Sequence, residues 1–316
     1  MGGIHAHNLA EIRNDLTALE EPGFWAISGS FEGRWTLARF NETRKENFLS
    51  SGDGFEVGDW KSSFTKEEFV EYVERIREHI SKGDVYQANA CRILSAPILS
   101  GGDLSCLLAQ ILLHNPAPFA GYLSLPNLEI ISASPERFIS RDGDYIISSP
   151  IKGTSATPEF LDKDRAENLM IVDLIRNDLG MVCETGSIST PRLLATEEHP
   201  GLYHLVSDVR GRLRKDLKPS EVLSRLMPPG SVSGAPKSSA VSIIQENEIE
   251  RGPYCGVFGW SNGFELQLCV AIRTFWRIDN EIRFGTGAGI TWDSDPVMEW
   301  EETELKARKL ISLTRQ

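Results

Sequence analysis

The sequence predicts an α+β fold. β-rich runs outnumber helical ones, several are joined by hairpin turns, and strands and helices are interleaved along the whole chain. A doubly wound parallel sheet needs a crossover between successive strands, so hairpin linkage points away from it. The 316 residues are 41% hydrophobic and 25% charged, which excludes a disordered, collagen-like or coiled-coil chain and leaves ample length for a core.

Each element has a local reason. Thr65 and Glu68 form a capping box, Phe69, Val73, Ile76 and Ile80 share one helical stripe, and Gly83 supplies the stop. Residues 85–94 read as a strand, and 104–113 as a short apolar helix after Asp103. Arg141-Asp142-Gly143-Asp144 turns a hairpin between two β-rich runs. A long helix is expected over 158–179 with Gly180 as terminator, then an alternating strand over 202–213. Helices over 219–227 and 238–248 flank the turn-rich run from Pro228 to Pro236. Two further hairpins turn at Asn262-Gly263 and Asp279-Asn280, and a helix over 295–313 follows. Residues 41–63 are polar and Gly-rich and read as a loop, so one domain spanning 1–316 is expected.

Acidic residues exceed basic ones, 45 against 33, giving a net charge of −12. No basic excess exists to neutralise phosphates, so general nucleic-acid binding is excluded. The five cysteines are widely spaced without a CxxC pair, which suggests neither a disulfide framework nor a zinc site. No signal peptide and no bilayer-length apolar run is seen, so a cytoplasmic protein without membrane contact is expected.

Candidate chemistry lies on two helices and a Gly-rich strand. Asp164 and Glu167 share one helical face, as do Glu299 and Glu302, with Lys306 one turn further along. Carboxylates on two helices could hold a hard cation such as Mg²⁺, although such pairs more often belong to a solvated face. Gly285-Thr286-Gly287-Ala288-Gly289 would let backbone N–H groups approach an anion, or pack tightly at a bend. Ser233-Gly234-Ala235-Pro236-Lys237 opens a helix and offers free N–H groups, or is routine capping.

In this order the motifs resemble those of the chorismate-utilising enzymes, the family of anthranilate, aminodeoxychorismate, isochorismate and salicylate synthases. They are Ser148-Ser149-Pro150-Ile151-Lys152-Gly153-Thr154, Asp164-Arg165-Ala166-Glu167-Asn168, Ile171-Val172-Asp173-Leu174-Ile175-Arg176-Asn177-Asp178, Ser233-Gly234-Ala235-Pro236-Lys237, Gly287-Ala288-Gly289 and Glu299-Trp300-Glu301-Glu302. The likeness covers residue 65 onward and implies two packed β-sheets with outer helices around a Mg²⁺-dependent site. About 1–64 would be a reduced N-terminal region, with strands at 24–29 and 35–40 and no tryptophan pocket. Two positions divide the family. Lys152 stands where the aminodeoxychorismate synthases carry Lys and their relatives usually Ala. Gln87 stands where the water-using members carry Lys. Both imply the aminodeoxychorismate branch, component I, which serves p-aminobenzoate and folate synthesis.

The resemblance also implies roles. Glu167 and Glu302 would bind Mg²⁺ directly, while Asp164 and Glu299 hold its waters; Asp164 replaces a more usual Glu. Arg273, Lys306, Tyr254, Gly287 and Gly289 match carboxylate-binding positions, and His204, Ser231, Gln87 and Thr154 also match site positions. Glu136 would protonate the departing 4-hydroxyl of chorismate, and Lys152 would add at C2 before ammonia attacks C4. No Cys stands in an amidotransferase elbow, so the implied partner is a separate glutamine amidotransferase chain that supplies ammonia. Two rivals are anthranilate synthase, aminating at C2, and a non-catalytic chorismate-binding protein.

Overall fold

A computed structural model describes residues 1–46, 48, 54–155, 157–199 and 202–315. In chain order the elements are β1 (Ile4–Arg13), β2 (Phe24–Gly29), β3 (Trp35–Lys45), β4 (Phe55–Val57), β5 (Lys61–Ser62), α1 (Lys66–Lys82), β6 (Gln87–Gly101) and α2 (Ser105–His114). Then come β7 (Phe119–Leu125), β8 (Leu128–Ser134), β9 (Arg137–Asp142), β10 (Tyr145–Ser149), β11 (Ile151–Ser155), α3 (Asp162–Gly180), β12 (Ser189–His199) and β13 (Leu202–Arg212). The last are α4 (Pro219–Leu226), β14 (Gly234–Ala235), α5 (Lys237–Asn247), β15 (Val257–Ser261), β16 (Glu265–Val270), β17 (Thr274–Ile278), β18 (Glu281–Ile290) and α6 (Pro296–Ser312).

Among the described residues these strands form a ten-stranded sheet, β1-β3-β2-β15-β16-β9-β10-β13-β11 with β12 on β13, and an eight-stranded sheet, β14-β6-β18-β17-β8-β7 with β4 and β5 on β6. The architecture is α+β with two packed sheets, as expected. Trp25, Ile27 and Leu37 of the large sheet share one core with Cys91, Ile93, Ile130 and Trp276 of the small one. At Gly121 a Cβ would meet the Phe258 ring at 2.8 Å, so the two sheets touch there. Ile171 and Ile175 of α3 and Val222 and Leu223 of α4 join the same core. On the far side of the small sheet, Leu107 and Ile111 of α2 and Leu310 of α6 pack with Phe275 and Phe284. Phe69 and Ile76 of α1 and Ile243 of α5 meet Ala88, Ala288 and Ile290.

The capping signals held. Thr65 Oγ accepts the Glu68 N–H at 3.2 Å, the Glu68 carboxylate accepts the Thr65 N–H at 2.7 Å, and Gly83 closes α1 at φ +81. Other expectations need correction. The helix expected from 158 begins at Asp162, because Asp164 Oδ2 accepts the Leu161 N–H at 3.0 Å and fixes the first turn there. Gly180 is the last helical residue, and Met181 after it keeps right-handed helical dihedrals, so Gly180 is no left-handed terminator. Within the expected loop 41–63, β3 runs on to Lys45, and β4 and β5 pair with β6; residues 47 and 49–53 of it lie outside the described residues. Backbone pairing along β6 outweighs the polar composition there.

A buried ion pair ties several elements behind the small sheet. Arg251 donates to Glu248 through Nε at 2.7 Å and Nη2 at 2.8 Å, to Val232 O at 3.1 Å and to Asn89 O at 2.6 Å. Glu248 Oε1 also accepts from the Tyr72 hydroxyl at 2.8 Å and the Cys91 N–H at 2.9 Å. Both charged side chains are almost fully buried, 1% and 3% exposed. Arg251→Met would leave the Glu248 charge unpaired in the interior, and a loss of about 3–5 kcal/mol is expected in urea unfolding.

Candidate active site

The cleft residues come from β18, β6, β11, α6, α3 and the turns before β9, β15 and β17. Along β18, Gly285, Gly287 and Gly289 turn one face toward the inter-sheet cleft. A Cβ at Gly285 would run into the Tyr254 ring at 2.0 Å, one at Gly287 into Cys91 Sγ at 2.6 Å, and one at Gly289 into Gln87 Nε2 at 2.3 Å. Alternation sends Thr286 the other way, where its hydroxyl donates to Thr303 O of α6 at 2.9 Å. The Gly-rich stretch therefore makes room for the side chains opposite it.

That strand also has an open edge. β17 pairs with β18 only from Ile278↔Glu281 to Phe275↔Phe284, whereas β6 follows it to Ile290. Gly287 O accepts from Lys306 Nζ at 2.9 Å, so the Gly287 peptide groups point away from β6, and by alternation those of Gly289 do too. The N–H groups of Gly287 and Gly289 thus face an edge with no strand on it. Such donors require a partner of another kind.

Lys152, in β11, is half-buried as a residue, yet its amine reaches 3.3 Å from where a Gly289 Cβ would stand, beside the Gln87 amide. Burial lowers its pKa; Glu167, Glu136 and Glu302 pull it back up, Lys306 lowers it, and the result stays below the ordinary lysine value. Gln87 is 3% exposed, and its Oε1 is buried without a hydrogen-bond partner. Glu136 is 4% exposed. Burial pushes its carboxyl up to about 7, although a hydrogen bond from Ser231 and the charge of Lys152 act to lower it. A buried acid at that value in the field of a desolvated amine marks a candidate site for chemistry.

The carboxylates of α3 and α6 reach the same place. Lys152 feels Glu167 and Glu302 together, and Lys163 acts on both Glu299 and Glu302 while pairing with Glu167 at 3.7 Å. Burial raises the Glu299 carboxyl, and neighbouring Glu302 raises it further. Burial acts to raise Glu302 as well, but Lys306, at 2.6 Å, with Lys152 and Lys163 brings it below the ordinary value. Among the described residues no three of these carboxylates lie within 4.8 Å of one another, and Asp164 spends one oxygen on the Leu161 N–H. The donor set, all hard oxygen with one carboxyl destabilised by its neighbour, fits Mg²⁺.

Arg273 is not on a strand. It sits between β16 and β17 at φ +51, and among the described residues it forms no ion pair. Burial lowers its pKa, so the guanidinium is partly desolvated without a carboxylate partner. An anion is the group that would satisfy it. If the substrate's carboxylate sits there, Arg273→Met is expected to raise KM for it about 10- to 100-fold with a smaller change in kcat, read by steady-state kinetics.

The remaining assignments divide. Ser231 reaches Glu136. Tyr254 is buried against Gly285, with its hydroxyl 4.0 Å from Cys91 Sγ. His204 is buried in β13, paired in register with Thr154 of β11 and Glu197 of β12. The Thr154 backbone lies in β11, and its side chain falls outside the described residues. In the Ser233–Lys237 motif the Lys237 amine holds Asp178 at 2.9 Å and Leu226 O at 3.2 Å, so its side chain latches α5 to α3 and α4. Sequence reasoning missed Lys163, whose Lys-x-x-x-Glu spacing to Glu167 was the available signal, and Ser294, which hydrogen-bonds Glu299.

Fold and cleft define an α+β protein of two packed sheets with a buried acid, Glu136, and a desolvated amine, Lys152, at one cleft. Residues 26–312 match the family model described as chorismate binding enzyme, and the chain belongs to that family. It is 37% identical over 283 residues to aminodeoxychorismate synthase component 1 of Escherichia coli, covering 84% of this chain and 62% of that one. It is 39% identical over 267 residues to anthranilate synthase component 1 of Aquifex aeolicus, covering 80% and 54%. The chain thus spans between half and two thirds of the length of these relatives. Among solved structures, anthranilate synthase component I from Streptococcus pneumoniae superposes with a TM-score of 0.85 at 23% identity, covering 99% of this chain and 92% of that one. The isochorismate synthase MenF of Escherichia coli gives 0.81 at 18% identity, covering 99% and 86%. These two show a shared fold.

Proposed function

We propose that the chain is an aminodeoxychorismate synthase component I, converting chorismate and ammonia to 4-amino-4-deoxychorismate and water. The observation that carries this reading is Lys152: a buried amine with depressed pKa, set against Gly289 and Gln87 and within the field of Glu136. Glu136, protonated up to about pH 7, gives its proton to the 4-hydroxyl of chorismate as the C4–O bond breaks. Neutral Lys152 Nζ bonds to C2 in the same event, both ring double bonds shift by one position, and water leaves. Ammonia then bonds to C4, both double bonds shift back, the C2–N bond breaks to release neutral Lys152, and the new ammonium returns a proton to Glu136. Arg273 and the open N–H groups of Gly287 and Gly289 receive the carboxylates. Glu167 and Glu302, with Glu299 and Asp164 behind them, are the residues that would hold Mg²⁺, which when bound neutralises the ring carboxylate.

Ammonia would come from a glutamine amidotransferase on another chain; the relative named component 1 supports a multi-subunit assembly. A second reading, anthranilate synthase, is favoured by the comparable identity to the Aquifex aeolicus protein. Product analysis from chorismate, ammonium and Mg²⁺ separates the readings. 4-Amino-4-deoxychorismate is expected; anthranilate with pyruvate would establish the second reading, and binding without turnover a non-catalytic protein.

A further inference from the structure

The edge strand of the large sheet carries a second convergence of ligand atoms, independent of the chorismate cleft. His5 and His7 lie two residues apart in β1 and so share one face. Glu46, just beyond β3, is brought to them by the β1–β3 pairing, which starts at Ile4↔Lys45, and by its own N–H, which donates to Gly3 O at 3.0 Å. His5 Nδ1 is 3.1 Å and His7 Nε2 3.5 Å from the same carboxylate oxygen, Glu46 Oε1. All three ligand atoms lie within 4.8 Å of one another, and among the described residues no other His, Cys, Asp or Glu trio does so.

We propose that His5, His7 and Glu46 form a zinc site that clamps the edge strand β1 to the end of β3. A tetrahedral zinc ion with bonds of about 2.0–2.1 Å sets its ligands about 3.3 Å apart, which the two His–Glu separations bracket. The donors reach that spacing through one backbone pairing, without rearrangement of the sheet. Binding needs His5 bare at Nδ1 and His7 bare at Nε2; each ring moves its proton to the other nitrogen, so the imidazoles stay neutral. Two imidazoles and one carboxylate suit zinc and reject Mg²⁺, which requires oxygen ligands. The fourth position is left to water. His5 is 22% exposed and lies tilted against Phe48, with ring centroids 6.0 Å apart, while His7 is 46% exposed, so one side of the site is supported and the other open to entry.

The test is zinc titration of the metal-stripped full chain in excess Mg²⁺, which occupies oxygen sites. One tightly held zinc per chain is expected, and cobalt in its place should show the visible bands of four-coordinate geometry. His7→Ala and Glu46→Gln should each weaken binding about tenfold or more with unchanged circular dichroism. Equal zinc stoichiometry and affinity in wild type and both variants, or no zinc held in excess Mg²⁺, would overturn the proposal.

Discussion

Lys152→Ala is expected to reduce the rate of 4-amino-4-deoxychorismate formation by about three orders of magnitude or more, the scale on which loss of a covalent nucleophile is felt. Its amine is desolvated and lies beside Gln87 and Gly289, within the field of Glu136. Lys306, another lysine in the field of the same carboxylates, is committed to Glu302 at 2.6 Å and Gly287 O at 2.9 Å. Steady-state assays with ammonium as nitrogen source check this directly. Chorismate binding should persist in the variant, because Arg273 and the β18 edge are untouched. Residual anthranilate from Lys152→Ala would mean that ammonia attacks C2 once the lysine is gone.

Glu136→Gln should lower kcat by about 10²- to 10⁴-fold while leaving KM within a few-fold, because the amide keeps the shape and loses the proton. The wild-type pH profile carries a linked expectation. Burial raises the Glu136 pKa from its ordinary carboxylate value to about 7. The acid form is therefore populated below that value and lost above it. A descending limb in kcat/KM, which reports the free protein, should fall as pH rises through about 7, and the variant should lack it. A profile flat across neutrality in the wild type would remove Glu136 from the acid role.

Local chemistry was legible and long-range chemistry was not. The α1 capping box, the Gly83 stop and the hairpin turns at Gly143 and Gly263 depend on neighbours a few residues away, and each stands where expected. β1 and β12 escaped notice because they are edge or solvated strands with little apolar alternation, and β4 and β5 exist only through β6. The site followed the same rule. Lys152, Glu136 and the four acidic residues were named through motif order, whereas their convergence depends on sheet packing. Arg273 matched a carboxylate-binding position, but its desolvation with no carboxylate partner beside it shows only in the folded chain. The His5–His7–Glu46 trio was invisible because its members meet only across the β1–β3 register. Arg251 and Glu248 are only three residues apart, but their burial was not legible, since Tyr72, Asn89 and Val232 around them come from three separate elements.

The central claim is that Lys152 forms a bond to the substrate ring. Acid quenching of the protein with chorismate and Mg²⁺ in the absence of ammonia, followed by peptide mass spectrometry, tests it most directly. The expected result is a peptide containing Lys152 that has gained the mass of chorismate less one water, and that loses it when ammonium is added before the quench. An unmodified Lys152 peptide from a preparation that makes 4-amino-4-deoxychorismate at full rate, with Lys152→Ala equally active, would contradict it.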